Sequence, residues 1–342
     1  MVFWDIHDAG IIIDYSIPVA IPSFNREVKL VEQSLATLSF YGWNMKKVFI
    51  FLDETHTRVN GTSEKTAYRK HLRASGYGEV TLLPGGACLM TQYHKIFSFF
   101  RGQKVIILSD TVPGIVWRRH QTHLTTEPLP SALLYRVVSV MFCVIAEKMW
   151  NIWSLGPCKA ARNLQPVHIS QKCGLLDGNF FGIDLKFKDA PTICISIITT
   201  DVELTLRMWT RDGGFARMLG VSALHQYRQT GGHCANNKAV HKRMVATDKA
   251  IRRLGNLYPG LLTFVPLKRI SEAGMKYRFL PKGAAPLLLA GTYTKRGRPC
   301  ENGCRAKSVA DRVRKHRKLK KVIVAMKMQT KYTYASLTLG CC

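Results

Sequence analysis

The chain has 342 residues, and its hydrophobic content of 46% excludes a wholly disordered protein. A formal net charge of +28 and a sequence pI near 9.9 predict a polyanionic partner, nucleic acid first and an anionic membrane surface second. Residues 261–342 hold 19 Lys and Arg against 3 Asp and Glu, so this last quarter carries +16 of the total.

The first part of the chain alternates short apolar runs with stretches of helical periodicity. Strands are predicted at 17–21, 47–52, 80–83 and 105–108, and helices at 28–40, 66–75 and 89–100. This alternation predicts an α/β fold with a parallel sheet and right-handed crossovers. Because the carboxyl ends of parallel strands lie at one edge of the sheet, we expect Ser23, Asp53 and Asp110 to converge on one crevice.

The stretch around Asp110 is the most informative of these strand ends. The apolar run 105–108 stops at Ser109-Asp110-Thr111 and turns at Pro113. A carboxylate between two hydroxyls suits a divalent cation, Mg²⁺ or Mn²⁺, that neutralises a diphosphate. The alternative is that Asp110 only caps a turn.

The middle of the chain indicates a soluble protein. The longest apolar window, residues 132–146, contains Arg136 and is too short to cross a bilayer, so it predicts a buried helix. Ten cysteines without a regular framework predict free thiols in a reducing compartment. The first residues lack the features of a signal peptide. We therefore expect a nuclear protein if the source is eukaryotic and a cytoplasmic one otherwise, with no membrane partner.

Taken in order, several segments resemble a known family. They are 21–26 (IPSFNR), 52–54 (LDE) and 99–115 (FFRGQKVIILSDTVPGI), followed by Asn163, 178–183, 201–207, 213–214, 231–232 and 258–260. This succession resembles the GT-A glycosyltransferases, which bind a nucleotide-sugar. More narrowly, it resembles the glycosyltransferases associated with TET/JBP-type DNA dioxygenases, which are thought to glycosylate hydroxymethylated pyrimidines in DNA. The resemblance implies a GT-A-like central sheet, mixed or parallel, flanked by helices.

The resemblance also implies roles for individual residues. A UDP-sugar would be the donor, and its nucleotide would be held by the first strand's end and by the acids after the second strand; these residues are Pro22, Ser23, Asn25, Arg26, Asp53 and Glu54. Backbone amides at the helix start and the Arg26 guanidinium would face phosphate, and Asp110 would anchor the divalent metal. Gly178 and Asn179 would approach the sugar or acceptor.

Two acids are candidates for the general base in this family-based interpretation. Asp201 would take the proton from an acceptor hydroxyl as that hydroxyl attacks the anomeric carbon, and Glu203 is the reserve. The alternative for Asp201 is an N-cap of the helix that begins near it, a role that Thr199 and Thr200 could also fill.

Two departures from the family pattern support a second functional hypothesis. The acidic motif is reduced to the single carboxylate of Asp110, and Gln92, Tyr93 and His94 stand where an Arg-Asn pair is expected. The alternative function is therefore a catalytically degenerate GT-A domain that serves as a DNA- or chromatin-binding module.

The basic end of the chain predicts contacts with DNA. We expect a lead-in at 1–16, a GT-A-like domain at 17–280 and a basic extension at 281–342. The sequence Arg296-Gly297-Arg298-Pro299 resembles the AT-hook core, which lies in a narrow minor groove. The run 312–321 has seven Lys and Arg in ten positions, and its Arg312, Arg314 and Lys315 are candidate phosphate contacts.

Overall fold

A computed structural model describes residues 13–53, 56–57, 61–119, 122, 125–156, 164–165, 168–186, 199–225, 240–265 and 276–279. All of them belong to a compact unit bounded by Met1–Leu287. The predicted AT-hook-like core and the basic run at 312–321 lie outside the described residues, so the prediction of DNA contacts stays a prediction.

The described residues form thirteen strands and seven α-helices. The strands are β1 (Val19–Pro22), β2 (Val48–Leu52), β3 (Thr81–Pro84), β4 (Lys104–Leu108), β5 (Ile115–Trp117), β6 (Glu127–Pro128), β7 (Ile152–Leu155), β8 (Ile169–Ser170), β9 (Phe180–Asp184), β10 (Ala216–Met218), β11 (Val221–Ala223), β12 (Leu262–Val265) and β13 (Lys276–Phe279). The helices are α1 (Glu27–Lys29), α2 (Ala36–Phe40), α3 (Glu64–Ala74), α4 (Leu89–Phe99), α5 (Leu133–Glu147), α6 (Thr200–Asp212) and α7 (Val240–Leu257). A π-helical segment, Leu30–Leu35, joins α1 to α2, and a 3-10 turn, Met45–Lys47, precedes β2.

Eight strands form the central sheet in the order β3-β2-β1-β4-β9-β7-β10-β8. Strands β3, β2, β1 and β4 are parallel, as the predicted βαβ succession requires. Strand β9 is antiparallel to both of its neighbours, β4 and β7, and β10 is again parallel to β7. The predicted fold class is therefore confirmed: α/β, with a mixed and mostly parallel central sheet.

Helices cover both faces of this sheet, and the alternation of side chains along each strand explains why. In β4, Ile106 and Leu108 pack into one apolar cluster while Val105 and Ile107 pack into another. The first cluster includes residues of α2 and α5, and the second includes residues of α4 and α6. A sheet buried on both faces needs strands that are apolar throughout, which is the pattern of the predicted strand runs.

The predicted buried helix in the window 132–146 is confirmed as α5, which supplies Leu134, Val138 and Met141 to the core. No helix in the described ranges is long and apolar enough to span a membrane. The predicted helix 28–40 is also present, but its middle is the π-helical segment Leu30–Leu35. Helical periodicity predicts which face of a helix is buried, but it does not distinguish a π-helical turn from an α-helical one.

Candidate active site

Two of the three predicted strand ends meet through direct contacts. Ser23 follows β1 and Asp110 follows β4 by two residues; both are almost completely buried. The Ser23 hydroxyl donates to Asp110 Oδ2 at 2.8 Å, and Arg26 Nη1 donates to Asp110 Oδ1 at 3.0 Å. Asp53 is buried at the end of the neighbouring strand β2. The predicted convergence at one sheet edge is therefore present.

A tyrosine that the sequence analysis did not single out orders this contact. The hydroxyl oxygen of Tyr68 on α3 accepts from the Arg26 backbone N–H at 2.9 Å and lies 2.8 Å from the Ser23 hydroxyl. Because Ser23 gives its proton to a carboxylate, Tyr68 must donate to Ser23. Burial, with the Asp110 charge next in importance, raises the pKa of Tyr68 well above its usual value, so it keeps this proton. The result is a directed chain from Tyr68 through Ser23 to Asp110.

The loop that carries Asp110 is clamped by the helical segment behind it. Ser34, in the π-helical segment, donates its hydroxyl to the Ser109 carbonyl at 2.7 Å and accepts from the Val112 N–H at 3.0 Å. Thr37, one turn on, donates to the Val112 carbonyl at 2.8 Å. These bonds satisfy backbone groups that β4 leaves unpaired where it ends. They fix the loop on both sides of Asp110.

The turn between Ser23 and α1 has its own support. Asn25 adopts a positive φ of 56°, a conformation that Asn tolerates better than most residues. Its backbone N–H donates to Glu64 Oε1 at 2.6 Å, and Glu64 is fully buried at the start of α3. The backbone amides of Asn25 and Arg26, predicted to hold phosphate, are thus already bonded to Glu64 and Tyr68. This differs from the prediction because α3 packs against the turn, a contact between segments far apart in sequence.

The predicted metal site at Asp110 does not fit the described residues. Both carboxylate oxygens of Asp110 already accept a hydrogen bond, one from Ser23 and one from Arg26. Arg26 places a positive charge where the ion would lie. At about 4 Å and an effective dielectric constant near 20, a divalent cation and a guanidinium repel each other by roughly 8 kcal/mol. The cation next to Asp110 is therefore the Arg26 guanidinium.

A second acidic group lies at the same sheet edge, in the loop before β9. Because β9 is antiparallel to β4, its first residue, Phe180, pairs with Leu108, the last residue of β4. The Ser109 N–H accordingly donates to the Asn179 carbonyl at 2.8 Å. The Asn179 side chain and backbone N–H both donate to Asp177 Oδ1, at 2.7 and 3.1 Å. Asn179 thus connects the Asp110 loop to a second buried carboxylate.

Asp201 joins Asp177 across a glycine. It is the second residue of α6, and the N-cap is Thr199, one of the residues named for that role, without a side-chain cap bond. Asp201 Oδ1 accepts from the first-turn N–H of Val202 at 2.9 Å. A Cβ at Gly178 would lie 3.3 Å from Asp201 Cβ, tighter than ordinary contact, so the glycine permits this approach. The Leu176 N–H donates to Thr205 Oγ1, which donates to the Asp201 carbonyl, and this fixes α6 against the loop.

Burial raises the pKa values of both acids. The pKa of Asp177 is raised to about 7, since burial and, to a smaller extent, the Asp201 charge raise it more than the hydrogen bonds from Asn179 lower it. Burial also raises the pKa of Asp201. Tyr93 of α4 lies close to both, since its own pKa is raised by burial and then by the charges of Asp201 and Asp177. A carboxyl group with a pKa near 7 is matched to general acid–base chemistry.

Glu203, the predicted reserve base, is in a different position. It is fully buried and forms an ion pair with Arg207 Nε at 2.8 Å, one turn along α6. The described partner of this carboxylate is therefore a guanidinium on its own helix. Pro22 is buried at the end of β1, and Glu54, Asn163 and residues 231–232 lie outside the described residues.

The sequence analysis missed Tyr68, Glu64 and Asp177. Tyr68 and Leu72 are four residues apart in an otherwise basic helix, a spacing that marks its buried face. Asp177-Gly178-Asn179 is a turn-forming sequence directly before a strand, but its meaning depends on the pairing of β9 with β4. Another contact at this edge, Thr111 Oγ1 to His225 Nδ1 at 3.3 Å, brings in the segment after β11.

Comparisons with solved structures give distant likenesses. The chain is similar to a mannosyltransferase from Pyrobaculum calidifontis in complex with GDP-Man and Mn²⁺, at 12% identity over 63% of this chain and 60% of that chain, with a TM-score of 0.36. It is similar to TarS 1–349 from S. aureus in complex with UDP-GlcNAc, at 9% identity over 70% and 66%, with a TM-score of 0.42. A mycobacterial protein gives 11% identity over 78% and 83%, with a TM-score of 0.41.

The matches therefore take in less than two thirds of the mannosyltransferase and of the TarS chain. No family model matches this sequence, and a comparison with curated proteins finds no match. Support for the function of this chain therefore comes from the residues at the sheet edge.

Proposed function

We propose that this chain is a GT-A-type glycosyltransferase that moves a hexose from a UDP-sugar to a hydroxyl group. The observation that carries the proposal is the joining of two groups at one sheet edge by Asn179. One group is Ser23, Arg26 and Asp110, and the other is Asp177 and Asp201. The carboxyl edge of an open α/β sheet is the usual location of a ligand site.

The two groups suit the two halves of a sugar transfer. The donor diphosphate binds beside Arg26, whose planar guanidinium offers several N–H donors to phosphate oxygens. Asp201 accepts the proton of the acceptor hydroxyl while its oxygen bonds to the anomeric carbon, and the sugar–phosphate bond breaks with its electron pair leaving on the nucleoside diphosphate. Asp177 lies close to Asp201, whose charge raises the pKa of Asp177. In this scheme Arg26, which pairs with Asp110, supplies the positive charge at the diphosphate.

The acceptor that we propose is a hydroxymethylated pyrimidine in DNA, as in the TET/JBP-associated family that the sequence resembles. The support is the charge of +16 in residues 261–342 and the AT-hook-like Arg296-Gly297-Arg298-Pro299. A second function, a non-catalytic DNA-binding module, is favoured by one observation: the single carboxylate of the reduced acidic motif is engaged by Arg26.

A transfer assay separates these functions. The full chain is incubated with UDP-glucose or UDP-N-acetylglucosamine and a duplex containing 5-hydroxymethylcytosine or 5-hydroxymethyluracil, and the bases are analysed by mass spectrometry. We expect a hexose adduct that Asp201→Asn reduces by at least a hundredfold, while Glu147→Gln, which removes an exposed carboxylate at the end of α5, serves as control. Strong, salt-sensitive DNA binding without any adduct would favour the non-catalytic module.

A further inference from the structure

The ion pair between Arg26 and Asp110 lies at the proposed diphosphate site. The Arg26 side chain is 15% exposed and the Asp110 side chain 7%, so the ion pair is close to the protein surface without being freely solvated. Asp110 has a second partner, Ser23, whose hydroxyl is held in place by Tyr68. Asp110 therefore keeps a hydrogen bond when Arg26 leaves it.

We propose that the diphosphate site is independent of metal: Arg26 exchanges its contact with Asp110 for the donor diphosphate and supplies the positive charge there. The proposal rests on the proposed function for its ligand class, a nucleoside diphosphate. A diphosphate carries more negative charge than one carboxylate and accepts two parallel N–H bonds from a guanidinium, so it competes well for Arg26. Asp110 is then a competitor that holds Arg26 in place in the absence of donor.

A competitor and a metal ligand at position 110 predict opposite changes in nucleotide affinity when Asp110 is replaced. This change in affinity can be measured. A metal anchor is required for binding, so its loss would remove nucleotide affinity. A competitor opposes binding, so Asp110→Asn should tighten it or leave it unchanged. The asparagine keeps an oxygen that accepts from Ser23, so this variant retains the hydrogen bond seen at 2.8 Å.

The experiment is calorimetric titration of UDP into the full chain, once in EDTA and once in Mn²⁺. We expect dissociation constants that agree within about threefold for the wild type. In EDTA, Asp110→Asn should bind UDP at least as tightly as the wild type. Adding Arg26→Gln to Asp110→Asn should weaken binding by about tenfold to a hundredfold, the effect of losing one charged hydrogen bond or more.

The double variant is informative because it leaves no buried charge without its partner, whereas Arg26→Gln alone leaves Asp110 unpaired and risks unfolding. Arg69→Gln, an exposed substitution on α3 with the same change in charge, is the matched control and should leave binding unchanged. Circular dichroism checks the fold of each variant.

Each outcome decides between the inference and the function on which it rests. UDP binding that requires Mn²⁺ and disappears in Asp110→Asn overturns the inference and leaves a metal-dependent donor site. Equal binding by Asp110→Asn with and without Arg26→Gln also overturns it. If neither UDP nor the two UDP-sugars bind, in EDTA and also in Mn²⁺, the proposed function is overturned together with the inference.

Discussion

Asp177→Asn gives the sharpest test of the acidic pair at the sheet edge. Burial favours the neutral form of Asp177 and raises its pKa from 3.8 to about 7, so the native protein binds a proton that the unfolded chain has released across this interval. Between these two values the native state therefore holds more protons than the unfolded state, and stability must fall as the pH rises. Asparagine has nearly the same shape and cannot ionise.

The size of the effect follows from the two pKa values. Relative to a residue that cannot ionise, Asp177 lowers the free energy of unfolding by roughly 2 kcal/mol at pH 5, where only the unfolded chain has released the proton, and by roughly 4 kcal/mol at pH 8. The wild type should therefore lose roughly 2 to 3 kcal/mol relative to Asp177→Asn between these pH values. The Asp201 charge also raises this pKa, but less than burial does.

Urea denaturation of both proteins at pH 5 and pH 8 measures this difference directly. The comparison cancels the pH dependence that the two proteins share, including that of the basic residues. Asp184→Asn, which replaces another buried acid at the end of β9, is the control for loss of a buried carboxyl group as such. Parallel changes in stability for the wild type and Asp177→Asn would refute the argument that Asp177 is neutral in the native protein below pH 7.

Three further predictions follow from single contacts. Ser34→Ala leaves the Ser109 carbonyl and Val112 N–H without this partner and should cost about 1–3 kcal/mol in urea, against no change for the exposed Ser98→Ala. Gly182→Ala places a methyl group in the Trp153 ring and should cost about 1–3 kcal/mol in thermal unfolding, where an unchanged midpoint would contradict the close packing. Arg296→Ala with Arg298→Ala should lower the salt slope of DNA binding by about 2, and an unchanged slope would exclude both as phosphate contacts.

The sheet and its edge could be predicted because they depend on local patterns. Strands β1, β2 and β4 are short apolar runs that end in polar residues, and this predicts both the strands and the positions of Ser23, Asp53 and Asp110. Parallel crossovers are right-handed, and this limits the number of topologies that these strands can form. The convergence of the strand ends follows from topology and needs no knowledge of individual contacts.

The partners at that edge could not be predicted, because they depend on pairing between distant segments. Asp177 joins the site only because β9 runs antiparallel to β4, and nothing in the sequence near residue 180 gives that direction. Arg26 was expected to face phosphate, but an arginine three residues from a buried serine cannot be assigned to Asp110 without the approach of β1 to β4. Tyr68 likewise depends on how α3 packs against the turn.

The two acidic groups together explain how a basic protein can present carboxylates at a proposed site for an anionic donor. The charge of Asp110 is paired with that of Arg26 at 3.0 Å. Asp177, with a pKa of about 7, is largely protonated below neutrality, which limits its repulsion of a diphosphate. When the donor binds and Arg26 turns to it, Asp110 becomes the nearest carboxylate without a cation, and the hydrogen bond from Ser23 then stabilises its charge. The hydrogen-bonded chain Tyr68–Ser23–Asp110 therefore stabilises Asp110 when Arg26 moves from this carboxylate to the donor diphosphate.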